Sequence, residues 1–101
     1  MEELAKWLKS QHKGLRTYKT FQQMVLDAGA KHREQYVFYY LLAALVGRFV
    51  DSYEEAPLTL GVTDEAHKRL TAISDKAAKF QSLSAEDQVK LLNELAVSEL
   101  S

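Results

Sequence analysis

The sequence contains no cysteine, a single proline and only four glycines among its 101 residues. Without cysteine the chain forms no disulfide and has no thiol chemistry, which suits a reducing compartment. Proline and glycine are the residues that most often interrupt helices, and their scarcity removes most interruptions. These absences favour a helical protein.

The sequence also lacks a strong net charge. Thirteen basic residues oppose fourteen acidic ones, giving −1, so no global field indicates a nucleic-acid or membrane partner. The distribution is uneven, because residues 1–35 have seven basic and four acidic residues, a balance of +3. This asymmetry can mark a basic binding face. The candidate basic patch consists of Lys13, Arg16, Lys19, Lys31 and Arg33.

Length and composition predict one globular domain over residues 1–101, with 47% of the residues hydrophobic. The first ten residues, MEELAKWLKS, are charged and contain no continuous apolar segment. We therefore expect no secretion signal. Together with the lack of cysteine, this indicates a cytoplasmic location.

Apolar residues recur at spacings of three and four along five segments, the pattern of amphipathic helices. The segment boundaries come from local signals: a capping box at Thr20 and Gln23, a terminating glycine at Gly29 and a cap at Ser84. Residues 57–63 alternate apolar and small polar side chains and are predicted to be extended. The predicted helices cover about 2–13, 17 or 20 to 28, 31–53, 63 or 64 to 83, and 85 onwards.

The third predicted helix is unusual because thirteen of the fifteen residues from Tyr36 to Val50 are apolar or aromatic. A helix that is apolar on every side is either buried or membrane-spanning. Spanning needs about 20 apolar residues, and Arg48 interrupts this shorter run. The sequence therefore predicts an all-α, four- or five-helix bundle with a central apolar helix at about residues 31–53.

Two stripes of this helix have different predicted roles. One stripe is wholly apolar and is predicted to face the chain's own core: Phe38, Leu42, Leu45 and Phe49. The other combines tyrosines, which are enriched in protein interfaces, with small residues that permit close backbone approach. We predict it to be a partner or oligomer interface: Tyr36, Tyr40, Ala43 and Gly47. The alternative is that the other helices of the same chain cover the central helix on every side.

Signals for chemistry are weak. Asp64 and His67 share a helix face, but a di-iron bundle needs several such pairs, so no metal site is expected. No phosphate-binding glycine loop, nucleophile elbow or catalytic cysteine occurs in the sequence. We therefore expect no enzymatic activity, no cofactor and no small-molecule substrate.

Two binding functions remain. Residues 21–40 have the spacing of a helix-turn-helix with Gly29 in the turn, but the second helix becomes fully apolar from Tyr36. The favoured function is a small helical protein–protein interaction module, of regulatory, adaptor or inhibitor type, that self-associates through its aromatic-rich helix. The alternative is a nucleic-acid-binding regulator that uses the basic N-terminal third.

Overall fold

The computed structural model describes residues 1–53 and 59–100. This part of the chain is 85% helical, with five α-helices and no strand. The helices are α1 (Glu2–Ser10), α2 (Leu15–Lys31), α3 (Tyr36–Tyr53), α4 (Leu60–Ala77) and α5 (Ala85–Val97). Short 3-10 turns at Arg33–Gln35 and Phe80–Ser82 precede α3 and α5. The prediction of an all-α bundle is confirmed.

The central helix of the bundle is α3, which has more buried residues than any other helix. It packs most extensively against α2 and next against α5, while α1 contacts both α2 and α4. The apolar stripe predicted to face the core is buried along its whole length: Phe38, Leu42, Leu45 and Phe49. The 3.6-residue period therefore identified the inner side of α3 correctly.

The helices α2 and α3 form a close antiparallel pair. At one end, a Cβ on Gly29 would lie only 2.9 Å from the Cβ of Tyr39. At the other end, Gln22 Nε2 donates a hydrogen bond of 3.3 Å to the carbonyl of Ala43. Residues 22–29 of α2 thus run alongside α3 in the reverse direction, which fixes the register of the pair.

Two predicted signals at the ends of α2 are wrong. Thr20 caps nothing, because α2 begins at Leu15 and Thr20 lies inside the helix. Gly29 does not terminate α2 and has no positive φ. Because Gly29 has no side chain, the backbone of α2 can instead approach Tyr39 closely at this position. The helix therefore continues to Lys31, and α3 starts later than predicted.

Of the starts of the last two helices, the predicted start of α5 is correct and that of α4 is wrong. Ser84 caps α5 as expected, since its Oγ accepts a 3.2 Å hydrogen bond from the Asp87 backbone N–H. The start of α4 was placed too late, because Thr59 is the N-cap and accepts from the Val62 N–H at 3.3 Å. Residues 60–63 are helical rather than extended, and residues 57 and 58 lie outside the described part.

A buried hydroxyl network joins α2 to α4. The hydroxyl of Tyr18 donates to the Thr63 carbonyl at 3.0 Å, and the Tyr18 ring meets the Phe49 ring edge-on at 5.1 Å. The Thr63 hydroxyl in turn donates to the carbonyl of Lys13, in the connection between α1 and α2. Tyr18 is fully buried, so its hydroxyl depends on partners within the protein for its hydrogen bonds.

Substituting Tyr18 with phenylalanine is expected to lower the free energy of unfolding by about 1 kcal/mol at neutral pH, because a buried hydrogen bond is lost. The variant should also lose less stability in alkali. Burial raises the pKa of Tyr18 above its usual value near 10, although the hydrogen bond with Thr63 lowers it in part. The unfolded chain therefore releases this proton first, and wild-type stability falls as pH rises above about 10.

Denaturant unfolding between pH 7 and pH 11 would measure this difference. Burial also raises the pKa of Tyr39, which supplies part of the alkaline loss in both proteins. The decline should therefore be shallower in the Tyr18→Phe variant than in the wild type, but still present. Equal declines in the two proteins would contradict the assigned environment of Tyr18.

Candidate interaction surface

The outer side of α3 carries an uncharged strip along its first three turns. Tyr36, Val37 and Tyr40 leave 50%, 60% and 54% of their surface exposed, and Leu41 and Ala44 are half-buried beside them. We call these five residues the aromatic face. The positions follow one another at spacings of three and four, so they form one continuous surface.

The two exposed tyrosines of the aromatic face stack on each other. The ring centroids of Tyr36 and Tyr40 are 6.2 Å apart, and their planes differ by 20°. Stacking holds both rings side by side along the helix, with their hydroxyls available to water or to a partner. The two rings therefore form an ordered apolar surface, and their side chains lose little further conformational entropy on binding.

The structure divides the four predicted interface residues. Tyr36 and Tyr40 belong to the aromatic face, but Ala43 is only 2% exposed and lies in the core. Gly47 is covered by Gln22, whose Nε2 would lie 2.7 Å from a Cβ at that position. Three residues advance a helix by about 300°, which turns Ala43 roughly 60° from Tyr40 towards α2. Part of the predicted contact is therefore made by α2 of the same chain.

The aromatic face borders α2 at Leu26. In sequence, Leu26 lies midway between Gln22, which contacts Ala43, and Gly29, which contacts Tyr39. The antiparallel register therefore places this exposed leucine near the level of Leu41 and Leu42 on α3. Leu26 extends the apolar surface across the seam between the two helices.

Arg48 marks the end of the aromatic face and caps α5. Its Nη2 donates to the carbonyls of Leu95 and Ser98 at 3.2 and 2.8 Å, and its Nε lies 3.4 Å from Glu99 Oε1. Carbonyls at a helix C-terminus have no partner within the helix, and a cation there is favourable. This role accounts for a charge within the apolar stretch of α3, and sequence reasoning missed it.

The candidate basic patch falls into two groups. All five residues are exposed. Lys13, Arg16 and Lys19 lie near the start of α2, whereas Lys31 and Arg33 lie at its end. Lys19 and Lys31, the nearest members of the two groups, are twelve residues apart on α2, which is about 18 Å at 1.5 Å per residue. Lys13 also faces Asp64, with 3.3 Å between its Nζ and Oδ1, so the first group has an acidic neighbour.

The remaining polar candidates have structural partners. Asp64 pairs with Lys13, and His67 Nε2 lies 3.2 Å from the carbonyl of Leu8, so the two side chains contact different groups. In residues 1–53 and 59–100, no cluster of three or more His, Asp or Glu side chains could hold a metal ion. Over the same ranges, every helix is too short or too polar to cross a bilayer.

No protein-family model, curated protein or solved structure matches this chain. Its class therefore rests on the geometry alone. The protein is an all-α bundle with α3 at its centre, and α3 presents an uncharged aromatic face to solvent.

Proposed function

We propose that this protein is a small cytoplasmic protein–protein interaction module, of regulatory, adaptor or inhibitor type, that self-associates through the aromatic face. The observation that carries the proposal is the row of three large apolar side chains, Tyr36, Val37 and Tyr40, each at least half exposed on one helix. Single exposed apolar residues are ordinary, but contiguous ones are typical of interfaces. The lack of cysteine supports the cytoplasmic location.

The expected association is weak. Fully burying a large apolar side chain contributes about 1.5–3 kcal/mol, so a half-exposed one contributes roughly 1 kcal/mol more when covered. Six such side chains in a dimer give several kcal/mol, the same order as the about 4–15 kcal/mol lost when two molecules associate. Contacts at the rim must supply the remainder. We therefore expect a dissociation constant in the micromolar range or weaker.

Replacing Tyr40 with glutamate is expected to produce monomers. The charge would be desolvated in the dimer but hydrated in the monomer, because the site is 54% exposed. Sedimentation at high micromolar concentration measures the loss, and circular dichroism should show an unchanged helical content. The matched control is Val97→Glu, which places the same charge on an exposed valine of α5 outside the aromatic face. That variant should associate like the wild type.

Two results would contradict this proposal. One is a wild-type protein that remains monomeric at several hundred micromolar. The other is equal dissociation of the Tyr40→Glu and Val97→Glu variants, which would mean that added charge alone disrupts association.

The nucleic-acid alternative has weaker support, because its candidate basic residues lie in two groups at opposite ends of α2. Strong phosphate binding requires several cations that contact the backbone together. Sub-micromolar binding of duplex DNA at physiological salt, with a steep salt dependence, would favour this alternative over self-association.

A further inference from the structure

The outer strip of α3 is asymmetric in side-chain size. Its first half carries the large exposed side chains of Tyr36, Val37 and Tyr40, whereas its second half carries the small, half-buried Ala44. Leu41 lies between the two halves. A surface that is raised at one end and low at the other fits a copy of itself when the copy is reversed.

We infer that the occupant of the aromatic face is a second copy of this chain, with the two α3 helices antiparallel and the two-fold axis at the level of Leu42. The inference rests on the proposed function. Positions equally distant from the axis then face each other. Tyr40 then packs on the partner's Ala44, which pairs a large side chain with a small one.

A parallel arrangement fits less well. It would place Tyr40 on the partner's Tyr40 and Ala44 on the partner's Ala44. The spacing of two packed helices depends on the side chains between them, so the tyrosines would hold the helices apart and leave a gap at the alanines. The antiparallel arrangement pairs large with small at both ends and keeps the spacing even.

The flanking helix α2 is consistent with the same axis. A two-fold axis across antiparallel α3 helices keeps each flank on its own side, so α2 faces the α2 of the partner. Leu26 lies near the level of Leu42, because it is midway between the contacts of Gln22 and Gly29 with α3. The two Leu26 side chains therefore meet close to the axis and continue the apolar contact.

The charges of this surface also fit a second copy. The aromatic face has no charged residue, so a charged partner would bury its own charge without compensation. The first charge along α3 is Arg48, which is turned towards the carbonyls at the end of α5 and away from the aromatic face.

The size of the surface predicts a transient dimer. The strip from Tyr36 to Arg48 is about 18 Å long at 1.5 Å per residue. Even if both flanking helices, α2 and α5, are counted at spacings of about 8–10 Å, the surface is less than 30 Å wide. The resulting area of roughly 500 Å² per copy is below the about 800 Å² of a stable interface. The dimer should therefore form at high concentration and dissociate on dilution.

Spin-label distances can test the orientation, because a chain without cysteine takes a label only at an introduced one. Ser52 is exposed and lies ten residues beyond the level of Leu42. In the antiparallel dimer the two labels at Ser52→Cys should be about 30 Å apart or more, at 1.5 Å per residue on each side of the axis. A parallel dimer would bring them to about the helix spacing of 8–10 Å plus the label arms.

The matched site is Gln23→Cys, on the exposed side of α2. Its two labels should be closer together than those at Ser52 in the antiparallel dimer, and farther apart in the parallel one. The longer distance at Ser52 supports the inference. The reverse order overturns the antiparallel arrangement but leaves self-association in place. Absence of coupling in a monomeric protein overturns both, as do distances that persist unchanged in the Tyr40→Glu variant.

Discussion

Replacing Ala43 with glutamate should unfold the chain. The site is 2% exposed and lies where α2 packs on α3, and the carbonyl of Ala43 is already bonded to Gln22. A buried carboxylate without a partner, together with overpacking, belongs to the changes that cost more than about 4–5 kcal/mol. A domain of this size has a total stability of about 5–15 kcal/mol. Circular dichroism and thermal unfolding should show little or no cooperative structure.

The neighbouring residue provides the control. Ala44 is half-buried on the aromatic face, one residue further round the helix. The Ala44→Glu variant should stay folded, melt cooperatively and be monomeric in sedimentation. If the Ala43→Glu variant instead melts like the wild type, then α2 does not cover that side of α3. The original assignment of Ala43 to a subunit interface would then be restored.

Replacing Leu45 with alanine is expected to lower the free energy of unfolding by about 2–5 kcal/mol, because the side chain is fully buried and its removal leaves a cavity in the core. Guanidinium denaturation should show a lower midpoint with an unchanged slope. The matched control is Val37→Ala, which shortens a side chain that is 60% exposed. Measured on the monomer, this control should change the stability by less than about 0.5 kcal/mol.

The Leu45 comparison has a clear negative outcome. A larger loss at Val37 than at Leu45 would mean that the inner and outer sides of α3 are assigned the wrong way round, and equal losses would mean that Leu45 is no more buried than Val37. A steeper or shallower slope in the Leu45→Ala variant would instead indicate a change in the compactness of the folded or unfolded state.

The fold class and the inner stripe of α3 could be predicted because both depend on a local period of 3.6 residues. The outer stripe could be predicted only in part. Small residues such as Ala43 and Gly47 indicate that a backbone comes close, but not whether it belongs to the same chain. Gly29 shows the same ambiguity, since one glycine can serve either a left-handed turn or a close helix contact. The choice depends on which helix lies opposite.

The role of Arg48 could not be predicted, because its partners Leu95 and Ser98 lie 47 and 50 residues further along the chain. No local pattern marks an arginine as the cap of another helix. The capping position of Ser84 was predictable for the opposite reason, since its partner Asp87 is only three residues away. Sequence reasoning succeeded where the deciding contact was local.

The long sequence separation between Arg48 and its partners on α5 has a consequence for how the chain folds. Contacts between neighbouring segments form quickly, whereas contacts across long sequence separations form late. The antiparallel pair of α2 and α3 is complete by residue 53, before the ribosome has synthesised α5. Until α5 arrives, the nascent chain presents the side of α3 that α5 later covers together with the aromatic face. Any folding species in which α5 has not yet docked therefore exposes more apolar surface and is more prone to aggregate, until the carbonyls of Leu95 and Ser98 bind Arg48.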